Sequence, residues 1–156
     1  NTTQDQTLLN IEKVTGTSYD DILSGSSFND ILIGALGDDS LYGKNGLDTL
    51  TGGADADTFY FDADAFNNTD VVTDFDTSEG DVLNIADILD GVYDPVSDAI
   101  ADFIQFTDSG SNSLLQVDLD GAGTSYSFET IAQLNGVTGL DADTLETNGN
   151  LITEYA

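Results

Sequence analysis

A nine-residue period runs through the first third of the chain and constrains its fold more than any other feature. Five glycines and five aspartates keep this step, and an apolar residue stands two positions after each aspartate. Common spacing in three columns indicates one structural unit copied five times. The columns are Gly16, Gly25, Gly34, Gly43 and Gly52; Asp21, Asp30, Asp39, Asp48 and Asp57; and Leu23, Leu32, Leu41, Leu50 and Phe59.

Each repeat is long enough for one glycine-rich loop and one strand of about three residues. Two repeats then make one turn of a coil of parallel strands, with loops alternating between two sides and the apolar column facing inward. The pattern predicts such a coil over residues 16–60. Residues 1–15 are interpreted as an N-terminal cap with a degenerate repeat, in which Glu12 takes the aspartate column and Val14 the apolar column.

The loops carry the oxygen ligands of a calcium site. Each loop offers one carboxylate and several backbone carbonyls, and stacked loops lie about 4.8 Å apart. Two loops together supply about six oxygens, which suits Ca²⁺ better than Mg²⁺. Loops on the same side are two repeats apart, so the predicted pairs are Asp21 with Asp39, Asp39 with Asp57, and Asp30 with Asp48. These three pairs of aspartates would form about three complete calcium sites.

The five column aspartates are the predicted side-chain ligands. Glu12, which could form a weaker fourth site with Asp30, and Asp55 are further candidates. Tyr19 and Phe28 stand where later repeats have glycine, so the first two loops fit the pattern less well. Backbone carbonyl ligands are expected near Gly16, Gly25, Gly34, Leu36, Gly37, Gly43, Asn45, Gly46, Gly52 and Ala54.

The chain is extremely acidic, and this charge limits the kinds of partner that it can bind. Thirty Asp and Glu residues face only Lys13 and Lys44, which gives a net charge of -28. Such a chain repels nucleic acid and anionic surfaces, and without cations it tends toward disorder. The absence of Cys excludes disulfides and thiolate metal sites. No apolar run approaches the length of a membrane span.

Residues 61–156 have a different pattern, which predicts a small β-rich domain with one to three short helices. A hairpin is expected from strands at 113–119 and 124–131. Other strands are expected at 57–61, 70–75, 82–85 and 151–152, and helical stretches at 87–89, 96–104 and 141–146.

The repeats resemble the calcium-binding nonapeptide repeats of RTX proteins, with the form G-G-x-G-x-D-x-(large apolar)-x. The best match is Gly52-Gly53-Ala54-Asp55-Ala56-Asp57-Thr58-Phe59-Tyr60. The resemblance implies a parallel β-roll with calcium in its loops. Segments at 71–75, 80–89, 128–131, 134–137 and 145–152 are similar to the C-terminal target domain of type I secreted proteins, as found at the end of large bacterial adhesins.

This resemblance implies a secretion role for residues 61–156. The expected partners are a type I ABC transporter of a Gram-negative bacterium, its adaptor and outer-membrane tunnel, and the rest of a parent adhesin. The chain would be secreted, retained at the cell surface through its parent, and monomeric. It would stay unfolded in the calcium-poor cytosol and fold outside the cell. No nucleophile–base arrangement is visible, and His and Cys are absent, so no enzymatic activity is expected.

Alternatives remain at two levels. The whole chain could be a carbohydrate- or surface-binding accessory module, or a passive spacer that stiffens in calcium. Locally, Asp118-Leu119-Asp120-Gly121-Ala122-Gly123 with Glu129 partly matches an EF-hand loop, although a hairpin turn is favoured. The acidic stretch from Asp74 to Asp81 is either a turn or a further calcium site.

Overall fold

The computed structural model describes residues 5–7 (backbone only), 13–123, 125 and 127–154. The strands are β1 (Asp5–Thr7), β2 (Lys13–Thr15), β3 (Ile22–Ser24), β4 (Ile31–Leu36), β5 (Ser40–Tyr42), β6 (Thr49–Ala54), β7 (Thr58–Tyr60), β8 (Asp70–Val72), β9 (Val82–Asn84), β10 (Ile104–Ser109), β11 (Asn112–Val117), β12 (Glu129–Leu134) and β13 (Leu151–Ile152). The helices are a 3₁₀ helix at Ala63–Asn67, α1 (Ala86–Leu89), α2 (Ile100–Phe103) and α3 (Ala142–Asn148).

Successive strands of the repeats alternate between two parallel sheets. One sheet has the order β1-β3-β5-β7-β9-β13, and the other has the order β10-β11-β12-β8-β6-β4-β2. Within the repeats each residue lies beside the residue 18 positions later, as Leu23 lies beside Leu41 and Leu32 beside Leu50. The chain is thus β-rich, and its parallel coil has the predicted two-repeat turn.

The apolar column forms the core between the sheets. Leu32, Leu41, Leu50 and Phe59 are fully buried, and Leu23 is nearly so. Alternate residues of a strand point to opposite faces, so one inward residue in each short strand suffices to line the space between two sheets. A ladder of identical layers therefore stabilises loops that could not fold singly.

Both sheets continue beyond the repeats without a break. Val72 lies beside Leu50, and Leu83 lies beside Phe59, so β8 and β9 add a further layer to each sheet. β12 then pairs parallel with β8, and the antiparallel strands β11 and β10 complete that sheet. The predicted division at residue 60 stays a prediction, and the sheets cross it.

One local prediction in the C-terminal part is wrong in extent, and one hairpin was not predicted. Only Ile100–Phe103 of the expected 96–104 helix is helical, and Val96 is almost fully exposed. Ile104 instead begins β10 and lies opposite Val117, because pairing in the sheet prevails over the helical spacing. The sequence pattern did not predict the hairpin of β10 and β11, whose connection contains Gly110 with a φ of 68°.

The last helix agrees with its local signals. The Asp141 carboxylate caps α3 by accepting from the Thr144 N–H at 2.9 Å, and Gly149 ends the helix with a φ of 81°. Leu145 packs into the core from this helix. In the described ranges no helix has the length and apolar character needed to cross a membrane.

Candidate metal centre

Buried aspartates form two columns, one on each loop side of the coil. The first column contains Asp21, Asp39, Asp57 and Asp81, and the second contains Asp30, Asp48 and Asp70. Each of these side chains is at most 3% exposed, although carboxylates are rarely buried without a partner. The three predicted pairs are therefore adjacent, and their role in calcium binding stays a prediction.

One oxygen of each stacked carboxylate binds the backbone of the preceding layer. The Oδ1 of Asp39 accepts from the Asp21 N–H at 2.7 Å, and the Oδ1 of Asp57 accepts from the Asp39 N–H at 2.9 Å. The same bond joins Asp30 to Asp48 at 2.7 Å in the second column. These hydrogen bonds fix the carboxylates in line along each loop side.

Sequence reasoning missed Asp70, and it placed Asp81 only in a separate acidic turn that was a candidate for calcium binding. The Oδ1 of Asp70 accepts from the Asp48 N–H at 2.9 Å, and that of Asp81 accepts from the Asp57 N–H at 3.0 Å. Their spacings of 22 and 24 residues hide them from a search at nine. A usable signal existed, because each stands two positions before a buried apolar residue, Val72 or Leu83.

Three carboxylates in the middle layers each keep one oxygen without a hydrogen-bond partner among the described residues. These atoms are the Oδ2 of Asp39, of Asp48 and of Asp57, and all three are buried. Leaving a buried acceptor unsatisfied costs about 1–3 kcal/mol, and a charged group costs more. A cation at each position would remove this cost.

The loops that hold these unpartnered oxygens have an unusual backbone. Each contains two residues at positive φ: Ala35 and Gly37, Lys44 and Gly46, and Gly53 and Asp55. Non-glycine residues rarely adopt this conformation, which costs about 1–2 kcal/mol for an L-residue. Strain of this kind collects at functional sites.

The first two loops are built differently. The Oδ2 of Asp21 accepts from the Thr17 N–H at 2.5 Å and from its hydroxyl at 2.8 Å. The Oδ2 of Asp30 accepts from the Ser26 N–H at 2.6 Å and from its hydroxyl at 2.9 Å. Residues 16–21 and 25–30 are all described, and none of them has a positive φ. The Oδ2 atoms of both carboxylates are therefore already satisfied by the protein.

Exposed polar side chains tie the loops together outside the buried columns. Asp20 accepts from the Asp38 N–H at 3.1 Å, and Asn29 accepts from the Leu47 N–H at 3.0 Å. The exposed Asp55 carboxylate accepts from the Gly37 N–H at 3.3 Å, which is a structural contact between layers. Glu12, the other additional candidate, lies outside the described residues.

The buried carboxyl groups of the aspartate columns have raised pKa values. Burial raises the pKa of Asp39 and of Asp48 to about 6, and neighbouring carboxylates add to the effect. Burial likewise raises the pKa of Asp57 and of Asp70 to about 7, again with neighbouring acids adding to it. Without a cation, the neutral, protonated form of these carboxyl groups is therefore favoured up to a higher pH than usual.

The ligand set suits calcium bound by few carboxylates and by backbone. Within the described residues no three acidic side chains gather closely enough to hold an ion by themselves. Backbone oxygens face the same positions: the Gly52 carbonyl oxygen would lie 2.5 Å from a Cβ on Gly34, beside the Asp39 carboxylate. The Gly34 and Gly43 carbonyls face Gly16 and Gly25 in the same way, so the first two loops share this feature and it does not by itself mark an ion site. The other predicted carbonyl ligands stay predictions.

Both segments with a local alternative form hydrogen-bonded turns, and calcium binding at either one stays a prediction. Asp118 accepts from the Asp120 N–H at 3.0 Å, and the Asp120 carboxylate accepts from the Ser125 N–H at 2.7 Å. These bonds are typical of turns. In the 74–81 turn, Asp74 accepts from the Gly52 and Gly53 N–H groups, both at 3.0 Å, so this turn contacts the last repeat.

Stacked glycine loops with buried, unpartnered carboxylates define the class of calcium-dependent parallel β-rolls. The family model of the RTX calcium-binding nonapeptide repeat, in four copies, matches residues 15–50 and 34–65. The segment 15–65 therefore consists of RTX calcium-binding nonapeptide repeats. No curated protein sequence is significantly similar to the chain.

Two solved structures to which the chain is similar are subunits of the mannuronan C5-epimerase of Azotobacter vinelandii. The AlgE6R3 subunit is 25% identical, with 88% of this chain and 80% of that chain covered and a TM-score of 0.30. The AlgE6R2 subunit is 23% identical, with 92% and 94% covered and a TM-score of 0.39. Likenesses with TM-scores this low carry no argument about fold or function.

Proposed function

We propose that this chain is the calcium-folded C-terminal secretion and extracellular-folding module of a large type I secreted adhesin or exoprotein. The observation that supports this most strongly is the set of three buried carboxylate oxygens that have no partner among the described residues, in the loops of a chain with a net charge of -28. The free energy of folding such a chain is unfavourable until cations bind to it. Calcium is scarce in the cytosol and abundant outside, so its concentration would switch the fold.

Calcium binding and folding would be one process. An ion bound only by the folded state stabilises that state by mass action, and the paired loops exist only when the coil has formed. Three ions would cancel about six negative charges where carboxylates are stacked most closely. The repeats would therefore stay extended during passage through the transporter.

The role of residues 61–156 as the secretion target rests on their resemblance to such domains. Continuity of the two sheets adds a physical link, because β8 and β9 complete layers that begin in the repeats. Folding of the repeats outside the cell would also order β8 and β9, and the folded unit would oppose backward movement. In this proposal the segment has no catalytic role.

A secretion assay tests the proposal. A reporter fused to the full chain should be exported by cells with a matching type I transporter and become protease-resistant only with external calcium. Deleting residues 61–156 should retain it in the cells, whereas deleting residues 16–60 should preserve recognition and lower the yield of exported, folded protein. Equal export with and without residues 61–156 would refute the secretion role.

A further inference from the structure

We infer that the calcium sites are displaced by one coil turn toward the C-terminus from the positions that the repeat pattern suggests. Loops 34–39, 43–48 and 52–57 each bind one ion, and Asp57 and Asp70 of the next layers complete the first two of these sites. Loops 16–21 and 25–30 bind none. The inference rests on the calcium binding in the proposed function and identifies which residues carry it out.

Calcium is excluded from the first two loops by their own donors. Thr17 directs both its N–H and its hydroxyl at the Oδ2 of Asp21, and Ser26 does the same for Asp30. A cation cannot share the position of inward-pointing N–H groups, and the carboxylate gains little from replacing two good hydrogen bonds. These loops fold as turns capped by a hydroxyl residue.

The three middle loops have the opposite arrangement. Their carboxylates are each 1% exposed, and each has an Oδ2 with no partner in the described part of the chain. Residues at positive φ replace the inward Thr17 and Ser26 N–H groups, since Ala35, Lys44 and Gly53 take these positions. Each loop therefore has an acceptor in place and no donor to satisfy it.

Asp70 completes the site of the 43–48 loop. A Cβ placed on Gly43 would lie 2.6 Å from the Oδ2 of Asp48 and 3.1 Å from the Oδ2 of Asp70. Oxygens from two layers thus approach the same point beside Gly43. Asp70 is 2% exposed, although the connection before it is four residues longer than a repeat pair.

The turn from Asp74 to Asp81 lies against the 52–57 loop. The Asp74 carboxylate accepts from Gly52 and Gly53, the two residues that begin this loop. The Oδ1 of Asp81 accepts from the Asp57 N–H at 3.0 Å, and its Oδ2 accepts from the Asp76 N–H at 2.9 Å. Both oxygens of Asp81 therefore already have N–H donors, and the unpartnered Oδ2 of Asp57 beside Gly52 is the acceptor that the loop itself offers an ion.

Calcium stoichiometry in isothermal titration calorimetry tests the assignment on the full chain. The unmodified protein should bind three ions. Asp70→Asn should lose one ion, while the matched variants Asp21→Asn and Asp30→Asn should keep all three. Asparagine preserves an acceptor oxygen for the Asp48 N–H, so the change at Asp70 removes mainly charge. Loss of ions from Asp21→Asn and Asp30→Asn, with full binding in Asp70→Asn, would overturn the inference.

A gain of binding provides a test that does not depend on weakened variants. The double variant Thr17→Gly with Tyr19→Gly removes the hydroxyl cap and gives the first loop the glycines of the later ones. It should bind a fourth ion, and a stoichiometry that stays at three would overturn the capping argument. If the unmodified protein binds no calcium, the proposed function itself fails. If it binds three ions but loses them in the Asp21 and Asp30 variants and not in the Asp70 variant, only the inferred displacement of the sites is refuted.

Discussion

In excess chelator at neutral pH, the protein should lose most of its strand signal in circular dichroism, and acidification should restore part of it. Burial gives Asp39 and Asp48 a pKa of about 6 and Asp57 and Asp70 a pKa of about 7 in the folded, metal-free chain. The unfolded value is about 3.9. The folded state therefore binds protons more tightly than the unfolded state.

The sign of the pH effect follows from these differences. A raised pKa in the folded state contributes stability that is fully present below about pH 4 and is lost as the pH rises through about 6 to 7. The metal-free fold should therefore be least stable near neutral pH. With saturating calcium the dependence should reverse, because the ions bind deprotonated carboxylates and protons compete with them.

Thermal melts from about pH 4 to about pH 7 measure both slopes. The melting temperature should fall with pH in chelator and rise with pH in calcium. Asp57→Asn removes one titrating buried group, so it should flatten the slope in chelator. Parallel slopes in chelator and calcium would contradict a role for the buried aspartates in calcium-dependent folding.

The coil and its inner column were predictable because each follows from one period. Two repeats per turn bring Leu23 beside Leu41, and the same rule brings Asp39 beside Asp57. Local signals also sufficed for α3, where Asp141 and Gly149 mark both ends. In each case the interaction that decides the structure is close in sequence or repeats at a constant interval.

The missed features depend on contacts that no constant spacing reveals. Asp70 and Asp81 enter the columns through connections of unequal length, so only the common Asp-x-apolar unit relates them to the repeats. The capping of Asp21 by Thr17 depends on a backbone conformation that the residue types permit but do not dictate. The helix expected at 96–104 ends at Phe103 because Ile104 pairs with a strand further along the chain.

Gly34→Ala should be among the most damaging single substitutions in the repeats, at about 4–7 kcal/mol in saturating calcium. Gly34 does not have a positive φ, so the requirement is for space rather than for backbone freedom. A Cβ there would overlap the Asp39 carboxylate and would come within 2.5 Å of the Gly52 carbonyl oxygen. Both groups face the position inferred for an ion.

Two costs add in this variant. Forcing a methyl group into a filled space costs about 1–3 kcal/mol. Loss of an ion present at 100 to 1,000 times its dissociation constant removes about 3–4 kcal/mol more. Urea unfolding in saturating calcium measures the sum, and calorimetry should show one ion fewer.

Gly16→Ala separates the two costs, because Gly16 occupies the equivalent position one layer earlier. A Cβ there would lie 2.5 Å from the Gly34 carbonyl oxygen and 2.8 Å from the Asp21 carboxylate, so the crowding is similar. The Thr17 cap leaves no ion to lose in that loop. Gly16→Ala should therefore cost only about 1–3 kcal/mol and keep all three ions. An equal loss of stability and of calcium in both variants would show that the first loop binds an ion as the later loops do.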